Sequence, residues 1–270
     1  MSIKFVTGEP ALKIGKALVM ADLHLGAEHD YRTAGIVMPS RTPDVEKRID
    51  LLLKKTKAKR LIILGDVKHR VPGTSFQEER EVPQLLSRLS SNVSVEVVPG
   101  NHDGGLEKMC PNITMHPSEG MVLHGGGYGH GHDRGCGRPV GGGRQGFWLC
   151  HGHAWPAEEA LTAEAMVIGH NHPQVEFRDR LGKVWRERVW VKARITPKAL
   201  KMHYKKLPKR LPDLILMPAF SELVGGWAVN RPDDKGKLVG GLGPITRCAS
   251  IGKGLVYLLD GTFLGKIEDI

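Results

Sequence analysis

The sequence of 270 residues has few cysteines and no long hydrophobic run. Its four cysteines include no C-x-x-C pair, which argues against a zinc ribbon or a thioredoxin-type redox site. So few cysteines in a chain of this length also argue against a disulfide framework. No apolar stretch approaches the ~18–20 residues that cross a bilayer, so no membrane association is expected. Residues 1–5 lack the apolar segment of a secretory signal, so we expect a cytoplasmic protein. With 40% hydrophobic and 25% charged residues, the composition is typical of a globular protein.

Acidic residues are nearly missing from one segment. Between Lys183 and Arg210 there are eleven Lys or Arg residues and one acid, Glu187, so this segment accounts for the whole formal net charge of +10. Such a concentration of positive charge favours a polyanionic partner such as nucleic acid or a nucleotide, although a solvated surface is the alternative. The candidate polyanion contacts are Lys205, Lys206, Lys209 and Arg210.

Three aromatic residues lie within the same basic segment, namely Trp185, Trp190 and Tyr204. Aromatic rings between basic residues can stack on nucleic-acid bases. These three are equally typical of core residues on an alternating strand over 184–191, and both interpretations stay open at this point.

Five short apolar runs, each typical of a strand, lead into residue types that bind metals. The runs and the motifs that follow them are Ala17–Ala21 with Asp22-Leu23-His24, 61–64 with Gly65-Asp66, 93–98 with Gly100-Asn101-His102-Asp103, Phe147–Cys150 with His151-Gly152-His153, and Ala165–Ile168 with Gly169-His170-Asn171-His172. Because α/β folds collect ligands beyond the carboxyl ends of their strands, we expect these motifs to line one rim of one sheet. Any single Asp or Asn could instead be a turn residue, but five recurrences are not expected by chance.

Helical patterns alternate with these strands. One helix is expected from Thr42 as N-cap and Pro43 as first residue, and a second over 77–89, which Pro83 should break or kink. Pro156 is expected to open a third helix. The chain after His172 is β-rich, with a hairpin signal at Asp260-Gly261. No linker is evident, so we predict one α/β domain over 1–270 with a basic, β-rich C-terminal part at about 183–270.

A glycine-rich segment at about 125–146 interrupts this pattern. Eleven of its 22 residues are glycine, so we expect a long mobile loop inserted between two strands. It contains Gly129-His130-Gly131-His132, a second match to G-H-x-H. No apolar strand precedes that match, so we favour the motif at His170 and His172 as the metal-binding one.

The motif residues together supply what a site for two divalent metals requires. Two ions about 3.5–4 Å apart can orient a phosphate and activate a water for in-line attack. Such a site needs carboxylates, imidazoles and a neutral amide oxygen. Asp22 and His24 can converge on one ion, Asp66 is the natural bridge, and Asn101 offers the amide oxygen. The further imidazoles are those of His151, His170 and His172.

This order of motifs, D-x-H, G-D-x-x-H, G-N-H-D, H-G-H and G-H-x-H, resembles that of the calcineurin-like metallophosphoesterase superfamily over 22–172. More narrowly, the chain is similar to the archaeal and bacterial ICC-like phosphoesterases. The segments 217–220 and 225–230 contribute to this narrower resemblance. The resemblance implies a two-sheet β-sandwich flanked by helices in αββα layers. It also implies hydrolysis of a phosphoester by a metal-bound hydroxide, with inversion at phosphorus if no phospho-enzyme forms. Manganese is the first expectation for both ions, with iron, zinc and nickel as alternatives.

The resemblance also implies individual roles. One metal would be held by Asp22, His24, Asp66 and His172, and the other by Asp66, Asn101, His151 and His170. His102 would protonate the leaving oxygen, and Asp103 would orient and support the His102 imidazole. His153 can replace His151 as a ligand, although the resemblance favours His151. His69 fits the last position of G-D-x-x-H, but we do not assign it as a ligand.

A phosphodiester is the expected substrate, with a nucleotide or a nucleic acid bound through the basic segment 183–210. The alternative is a non-catalytic, metal-stabilised module that binds nucleic acid or acts as an adaptor. An intact pair of His102 and Asp103 argues against that alternative, because a scaffold needs metal ligands but no acid. The sequence carries no signal for a particular oligomeric state.

Overall fold

The computed structural model describes residues 2–124, 146–232, 238 and 240–270. The glycine-rich loop predicted at about 125–146 therefore lies outside the described residues, apart from Gly146, and so does the second G-H-x-H match. Within the described ranges, no helix has both the length and the apolar composition of a membrane span.

Two β-sheets form the centre of the molecule. The first has six strands in the order of the chain, which are β1 (Ile3–Phe5), β2 (Ala11–Ile14), β3 (Ala17–Ala21), β4 (Arg60–Leu64), β5 (Ser94–Val98) and β6 (Thr114–Met115). The run from β3 to β6 is parallel, while β1, β2 and β3 pair antiparallel.

The second sheet has nine strands. They are β7 (Met121–Leu123), β8 (Phe147–Cys150), β9 (Ala165–Ile168), β10 (Pro173–Arg178), β11 (Val184–Arg194), β12 (Asp213–Leu216), β13 (Trp227–Ala228), β14 (Leu255–Leu258) and β15 (Phe263–Lys266). Their order is β13-β10-β11-β12-β9-β8-β7, and the β14–β15 hairpin joins along β11. The hairpin predicted at Asp260-Gly261 is thus confirmed. Because the C-terminal strands continue the sheet of β8 and β9, they support the proposal of a single domain.

The helices are mostly short. They are α1 (Glu28–Thr33), α2 (Thr42–Thr56), α3 (Phe76–Ser90), α4 (Leu106–Met109), α5 (Pro197–Leu200) and α6 (Pro244–Arg247), with 3-10 turns at Glu158–Thr162, Ile251–Lys253 and Ile267–Asp269. Two differences from the sequence patterns stand out. The helix expected after Pro156 is only a 3-10 turn, and the N-cap of α2 is Arg41, one residue before Thr42.

The alternation of side chains along the first sheet builds two cores. On β3, Val19 and Ala21 face the second sheet, where they join residues of β8, β9 and β12 in the larger core. Leu18 and Met20 face the other way and pack with α2 and α3. Both faces of these strands are therefore buried, which explains their nearly continuous hydrophobic runs. The predicted two-sheet fold flanked by helices is confirmed.

Pro83 lies inside α3, and the helix continues through it, so of the predicted break or kink the break is wrong. An interior proline costs one backbone hydrogen bond and a clash with the preceding turn, ~3 kcal/mol or more. Two features of α3 oppose that cost. Ser75 and Glu78 form a complete capping box at its start, and Leu85, Leu86 and Leu89 beyond the proline are buried in the core.

The five metal-binding motifs do meet at one place, but they come from two sheets, so the prediction of a single rim is wrong. β3, β4 and β5 belong to the first sheet, whereas β8 and β9 belong to the second. The sheet ends meet closely at Gly169, where a Cβ atom would lie 2.7 Å from Ala21 Cβ. The loop after β12 adds to the junction, since Phe220 N–H donates to the Ala21 carbonyl at 2.9 Å.

Candidate metal centre

The backbone at the ends of the strands turns sharply at five of the seven predicted metal ligands. Among the described residues, six that are not glycine have a left-handed φ, and five of them belong to the predicted ligand set. These are Asp22 (59°), His24 (45°), Asp66 (48°), His170 (65°) and His172 (43°). Such conformations cost ~1–3 kcal/mol each and cluster at functional sites. Here the turns direct carboxylates and imidazoles from two sheets toward a common point.

The first group of candidate ligands consists of Asp22, His24, Asp66 and His172, whose ligand atoms all lie within 4.8 Å of one another. His24 Nε2 is 3.3 Å from His172 Nε2 and 3.6 Å from Asp66 Oδ2. The other ring nitrogen of His172 donates to the Gly225 carbonyl at 2.9 Å, which fixes the tautomer with a lone pair on Nε2. This group is the one the resemblance implies for the first metal.

The second group contains Asp66, His151 and His170, with ligand atoms again within 4.8 Å. His151 Nε2 lies 3.4 Å from Asp66 Oδ2 and 3.0 Å from Asp22 Oδ1, so it reaches the carboxylates of both groups. Asp66 is common to both groups, as a bridging ligand must be. The two groups therefore have the composition of a dinuclear site.

Asn101 is the one predicted ligand whose side chain the structure leaves exposed. It lies between two residues that touch Asp66. The backbone N–H of His102 donates to Asp66 Oδ1 at 2.9 Å, and Gly100 packs directly against the same carboxylate. Asn101 is thus next to the second group, in a position from which its amide oxygen could complete the ligand set.

The charge state of the centre suits a cation. Burial would raise the pKa of Asp22, but His172 and His151 hold it well below its usual range. Against burial, hydrogen bonding to His151 lowers the pKa of Asp66 to about 2. Burial lowers the pKa of His24 to about 3 and that of His170 to about 4, so both rings are neutral at pH 7. Ionised carboxylates and neutral imidazoles are the forms that ligate metals.

His151 behaves differently from His24 and His170. Burial opposes its charged form, but its hydrogen bonds to Asp22 and Asp66 outweigh that cost and raise its pKa to about 10. Its proton occupies the position of a cation between two carboxylates, so metal binding has to release it. The donor set as a whole, hard carboxylates with borderline imidazoles, fits first-row divalent ions.

His151 is better placed than its alternative, His153. The ring of His151 is fully buried between the two aspartates, whereas His153 is only half-buried and lies behind it, with Nδ1 to Nδ1 3.0 Å apart. Neither group of ligand atoms within 4.8 Å includes His153. The geometry favours His151 as the ligand and His153 as its neighbour.

His102 faces the open side of the centre. Its Nδ1 donates to the His69 carbonyl, and its Nε2 is 3.9 Å from Asp66 Oδ2 on a side chain that is 25% exposed. The imidazole is therefore held at one nitrogen and accessible at the other. That arrangement suits a group that transfers a proton to a bound substrate.

Among the described residues, no hydrogen bond joins Asp103 to the His102 ring, so its role in orienting that imidazole stays a prediction. Its buried carboxylate accepts backbone N–H bonds from Val67 and Gly100, both at 2.8 Å. Burial raises its pKa in spite of these bonds. Asp103 thus connects the loop after β4 to the loop after β5. The hydrogen bond from the His102 ring is accepted by the His69 carbonyl instead of by Asp103.

His69 is the residue that the sequence left unassigned. Its Nε2 lies 2.8 Å from Asp30 Oδ2, and its Nδ1 is 3.2 Å from His24 Nδ1. It also forms a compact group with His24 and His102. His69 therefore connects the first group of ligands to α1, and its position in G-D-x-x-H was the signal for it.

The basic segment ends close to the H-G-H motif. The candidate polyanion contacts Lys205, Lys206, Lys209 and Arg210 are all exposed. Next to them, His203 stacks on Trp155 at 4.0 Å between ring centroids, with the planes 5° apart. Tyr204 is buried and donates from its hydroxyl to the Pro156 carbonyl at 2.6 Å. Trp155 and Pro156 follow His153, so the two residues just before the exposed cations contact the loop after β8.

Only one of the three aromatic residues in the basic segment is accessible. Trp190 is 1% exposed and packs edge-on against Phe5, so it belongs to the core. Tyr204 is buried as described above. Trp185 is 41% exposed and stacks on Phe177. The interpretation as core residues therefore holds for Trp190 and Tyr204.

A family model described as calcineurin-like phosphoesterase matches residues 15–209, which include every candidate ligand. The nuclease MPE of Pseudomonas putida is similar in fold, with a TM-score of 0.53 at 21% identity, over 97% of this chain and 100% of that chain. The phosphoesterase YfcE of E. coli matches at 17% identity over 60% of this chain and 73% of that chain, with a TM-score of 0.34. No curated protein matches significantly.

Proposed function

Because the chain belongs to the calcineurin-like phosphoesterase family and is therefore a phosphoester hydrolase, we propose that it cleaves a phosphodiester at a centre of two divalent ions. The observation that carries the proposal is the set of five left-handed residues whose side chains converge from two sheets. Their combined backbone cost is ~5 kcal/mol or more, and strained backbone of this kind clusters at functional sites.

The proposed ligands of the two ions overlap in one residue. The first ion takes Asp22, His24, Asp66 and His172, and the second takes Asp66, Asn101, His151 and His170. Asp66 can serve both because its carboxylate lies between His24 and His151, at 3.6 and 3.4 Å. When bound, the ions would neutralise phosphoryl charge and lower the pKa of an attacking water.

The remaining steps fall to the protein's own groups. His102, in its imidazolium form, holds a proton on Nε2 and gives it to the leaving oxygen as the P–O bond breaks. Its Nδ1–H stays on the His69 carbonyl throughout, so the ring keeps its orientation. Asp103 holds the loop that carries His102 through Val67 and Gly100.

The identity of the ions is also proposed. Oxygen and imidazole donors in equal measure suit manganese, with iron, zinc or nickel as alternatives, since such sites discriminate weakly among these metals. Elemental analysis of protein purified without added metal would identify the ions. Two ions per chain are expected, and Asp66→Asn should carry fewer.

Turnover of a bis-aryl phosphodiester and of an aryl monoester, with Mn²⁺ added, tests the reaction. The diester should be hydrolysed, and Asp66→Asn should abolish that activity, while Asp269→Asn at the exposed C-terminus serves as the charge-matched control. Hydrolysis of the monoester alone would contradict the proposed substrate class. No turnover of either compound, combined with tight nucleic-acid binding, would favour the adaptor alternative.

Nucleic acid is the proposed natural polyanion. Lys205, Lys206, Lys209 and Arg210 are exposed, and no ion pair among the described residues engages them. The residues just before them, His203 and Tyr204, contact the loop that follows the H-G-H motif. Positive charge of this kind binds phosphates along a strand and makes the affinity depend on salt. The cytoplasmic location of the protein also remains a prediction.

Neutralising these four residues tests the polyanion proposal. The quadruple change to Gln should weaken binding to single-stranded DNA and reduce the slope of log K against log salt by ~0.7 for each lost contact. Changing four exposed lysines near the end of α2 to Gln (Lys54, Lys55, Lys57 and Lys59) is the matched control. If both variants bind alike, the basic segment is a solvated surface.

A further inference from the structure

The G-H-x-H turn after β9 has a strained backbone on both sides of Asn171. His170 and His172 have φ values of 65° and 43°, and Asn171 stands between them. Left-handed residues of this kind persist only where the surrounding structure holds them in place. His170 belongs to the second group of candidate ligands and His172 to the first. Whatever holds this turn therefore positions one ligand of each group.

The side chain of Asn171 is buried and hydrogen-bonded through both of its amide atoms. It is 2% exposed, and its Oδ1 accepts the backbone N–H of Leu242 at 2.7 Å. Its Nδ2 donates to Thr246 Oγ1 at 3.2 Å and to the Gly169 carbonyl at 3.3 Å. Thr246 is fully buried as well. The amide thus connects the metal motif to a segment more than 70 residues further along the chain.

Two glycines let that segment, 240–247, pack directly against the metal motifs. A Cβ atom on Gly241 would lie 2.6 Å from Asn171 Oδ1. A Cβ atom on Gly243 would lie 2.1 Å from the carbonyl oxygen of Gly152, in the H-G-H motif, and 3.5 Å from His170 Cδ2. The segment 240–247 therefore lies against the loops after β8 and β9, which carry the imidazoles of the second group.

The segment 240–247 lies beyond residues 15–209, the part of the chain that the family model matches. We propose that Asn171 is a positioning residue of the metal centre and that Thr246 acts through it. The hydrogen bond between them keeps the turn of His170 and His172 in the conformation that directs both rings toward the candidate ligand groups. The inference rests on the proposed function, because the role it assigns is toward the two proposed ions.

Two substitutions at Thr246 separate the hydrogen bond from packing. Valine keeps the shape of the side chain and loses the hydroxyl, whereas serine keeps the hydroxyl and loses the methyl group that lies against Gly241. Loss of a contact that orients metal ligands typically costs ~10–100-fold in metal affinity. Thr246→Val should therefore raise the Kd for Mn²⁺ by about tenfold or more, while Thr246→Ser should keep the wild-type value. A role in packing alone predicts the opposite order.

Titration of the metal-free protein with Mn²⁺, followed by electron paramagnetic resonance of the free ion, measures both the Kd and the number of bound ions. Thr196→Val is the matched control, because the Thr196 hydroxyl donates to the Cys248 carbonyl at 2.6 Å, just beyond the other end of α6. It should lower the free energy of unfolding and leave the Mn²⁺ affinity unchanged. Urea unfolding of the metal-free proteins shows whether each variant folds.

Asn171→Ala provides a second test that does not depend on the folding of Thr246→Val. It removes the bonds to both Leu242 and Thr246, so it should raise the Kd for Mn²⁺ at least as much. Adding Thr246→Val to it should have no further effect on the Kd, because the hydrogen bond between the two side chains is already lost.

Two outcomes would overturn the inference and leave the metal centre itself standing. One is a wild-type Mn²⁺ affinity in Asn171→Ala, and the other is a greater loss of affinity in Thr246→Ser than in Thr246→Val. Wild-type protein that binds no Mn²⁺ would overturn the proposed function together with the inference.

Discussion

Gly100 packs against the carboxylate of Asp66 so closely that a Cβ atom on Gly100 would lie 2.9 Å from Asp66 Cγ. The next residues along the chain are Asn101, a candidate ligand, and His102, whose backbone N–H binds Asp66 Oδ1. The glycine thus lets the loop after β5 approach the residue that both metal groups share. Its small size is a requirement of the centre, because any side chain here would displace Asp66.

Gly100→Ala should therefore damage metal binding. Real Cβ atoms do not approach other atoms this closely, so Asp66 or the loop has to move. We expect a loss of bound metal, measured by elemental analysis, and a fall in diester turnover of ~10²-fold, the usual effect of misplacing a reacting group by about 1 Å. Gly104→Ala is the matched control in the same loop, since a Cβ there meets nothing within 4 Å. Equal metal content in both variants would contradict the proposed contact.

His102→Gln should reduce turnover while leaving the metals in place. Loss of general acid–base catalysis typically costs ~10²–10⁴-fold. The loss should be larger for a diester with an alkyl leaving group than for one with a nitrophenyl leaving group, which departs without a proton. Rates for both substrates, together with metal content, check this. A loss that is equal for both leaving groups would exclude the proton-donor role.

Asp103→Asn separates the two roles considered for that residue. The observed bonds to Val67 and Gly100 predict a lower free energy of unfolding, by about 1–3 kcal/mol, with an unchanged pH profile of kcat. Support of the His102 imidazole would instead predict a shifted pH profile. Urea unfolding and the pH dependence of turnover decide between them, with Asp269→Asn as the control.

Glu96 provides a test of stability away from the centre. Although burial disfavours its ionised form, hydrogen bonds from His116 and Arg60 lower the pKa of Glu96 from 4.5 to about 2. A depressed pKa in the folded state adds stability above the unfolded value, and that stability is lost as the pH falls from about 4.5 to 2. Glu96→Gln should then cost up to about 3 kcal/mol at pH 7 and far less near pH 2.

Urea unfolding of Glu96→Gln at pH 7, 5 and 3 would measure this dependence. Glu79→Gln, which changes the same charge at an exposed position, should show no such trend. A difference between wild type and Glu96→Gln that is constant over this range would mean that the ion pairs of Glu96 contribute nothing to stability.

Much of the centre was predictable because each motif is local. Asp22 and His24 follow β3 directly, and His170 and His172 follow β9, so identifying the strand also locates the candidate ligands. The bounds of β3, β8 and β9 agree with the apolar runs because both faces of these strands are buried. By contrast, Pro83 was expected to break or kink α3, because the sequence pattern of the helix does not show the burial that keeps the helix continuous.

What the sequence determined by itself is which residue types stand at the ends of the strands, and with them the family and the chemistry. Tertiary structure alone decided how those ends meet: that two sheets supply them, that Asp103 binds backbone rather than His102, that His69 supports His24, and that Glu28 has an unpartnered oxygen. The physical reason is range. Periodicity and turn chemistry act over a few residues, whereas burial and hydrogen-bond partners depend on segments brought together only by the packed fold.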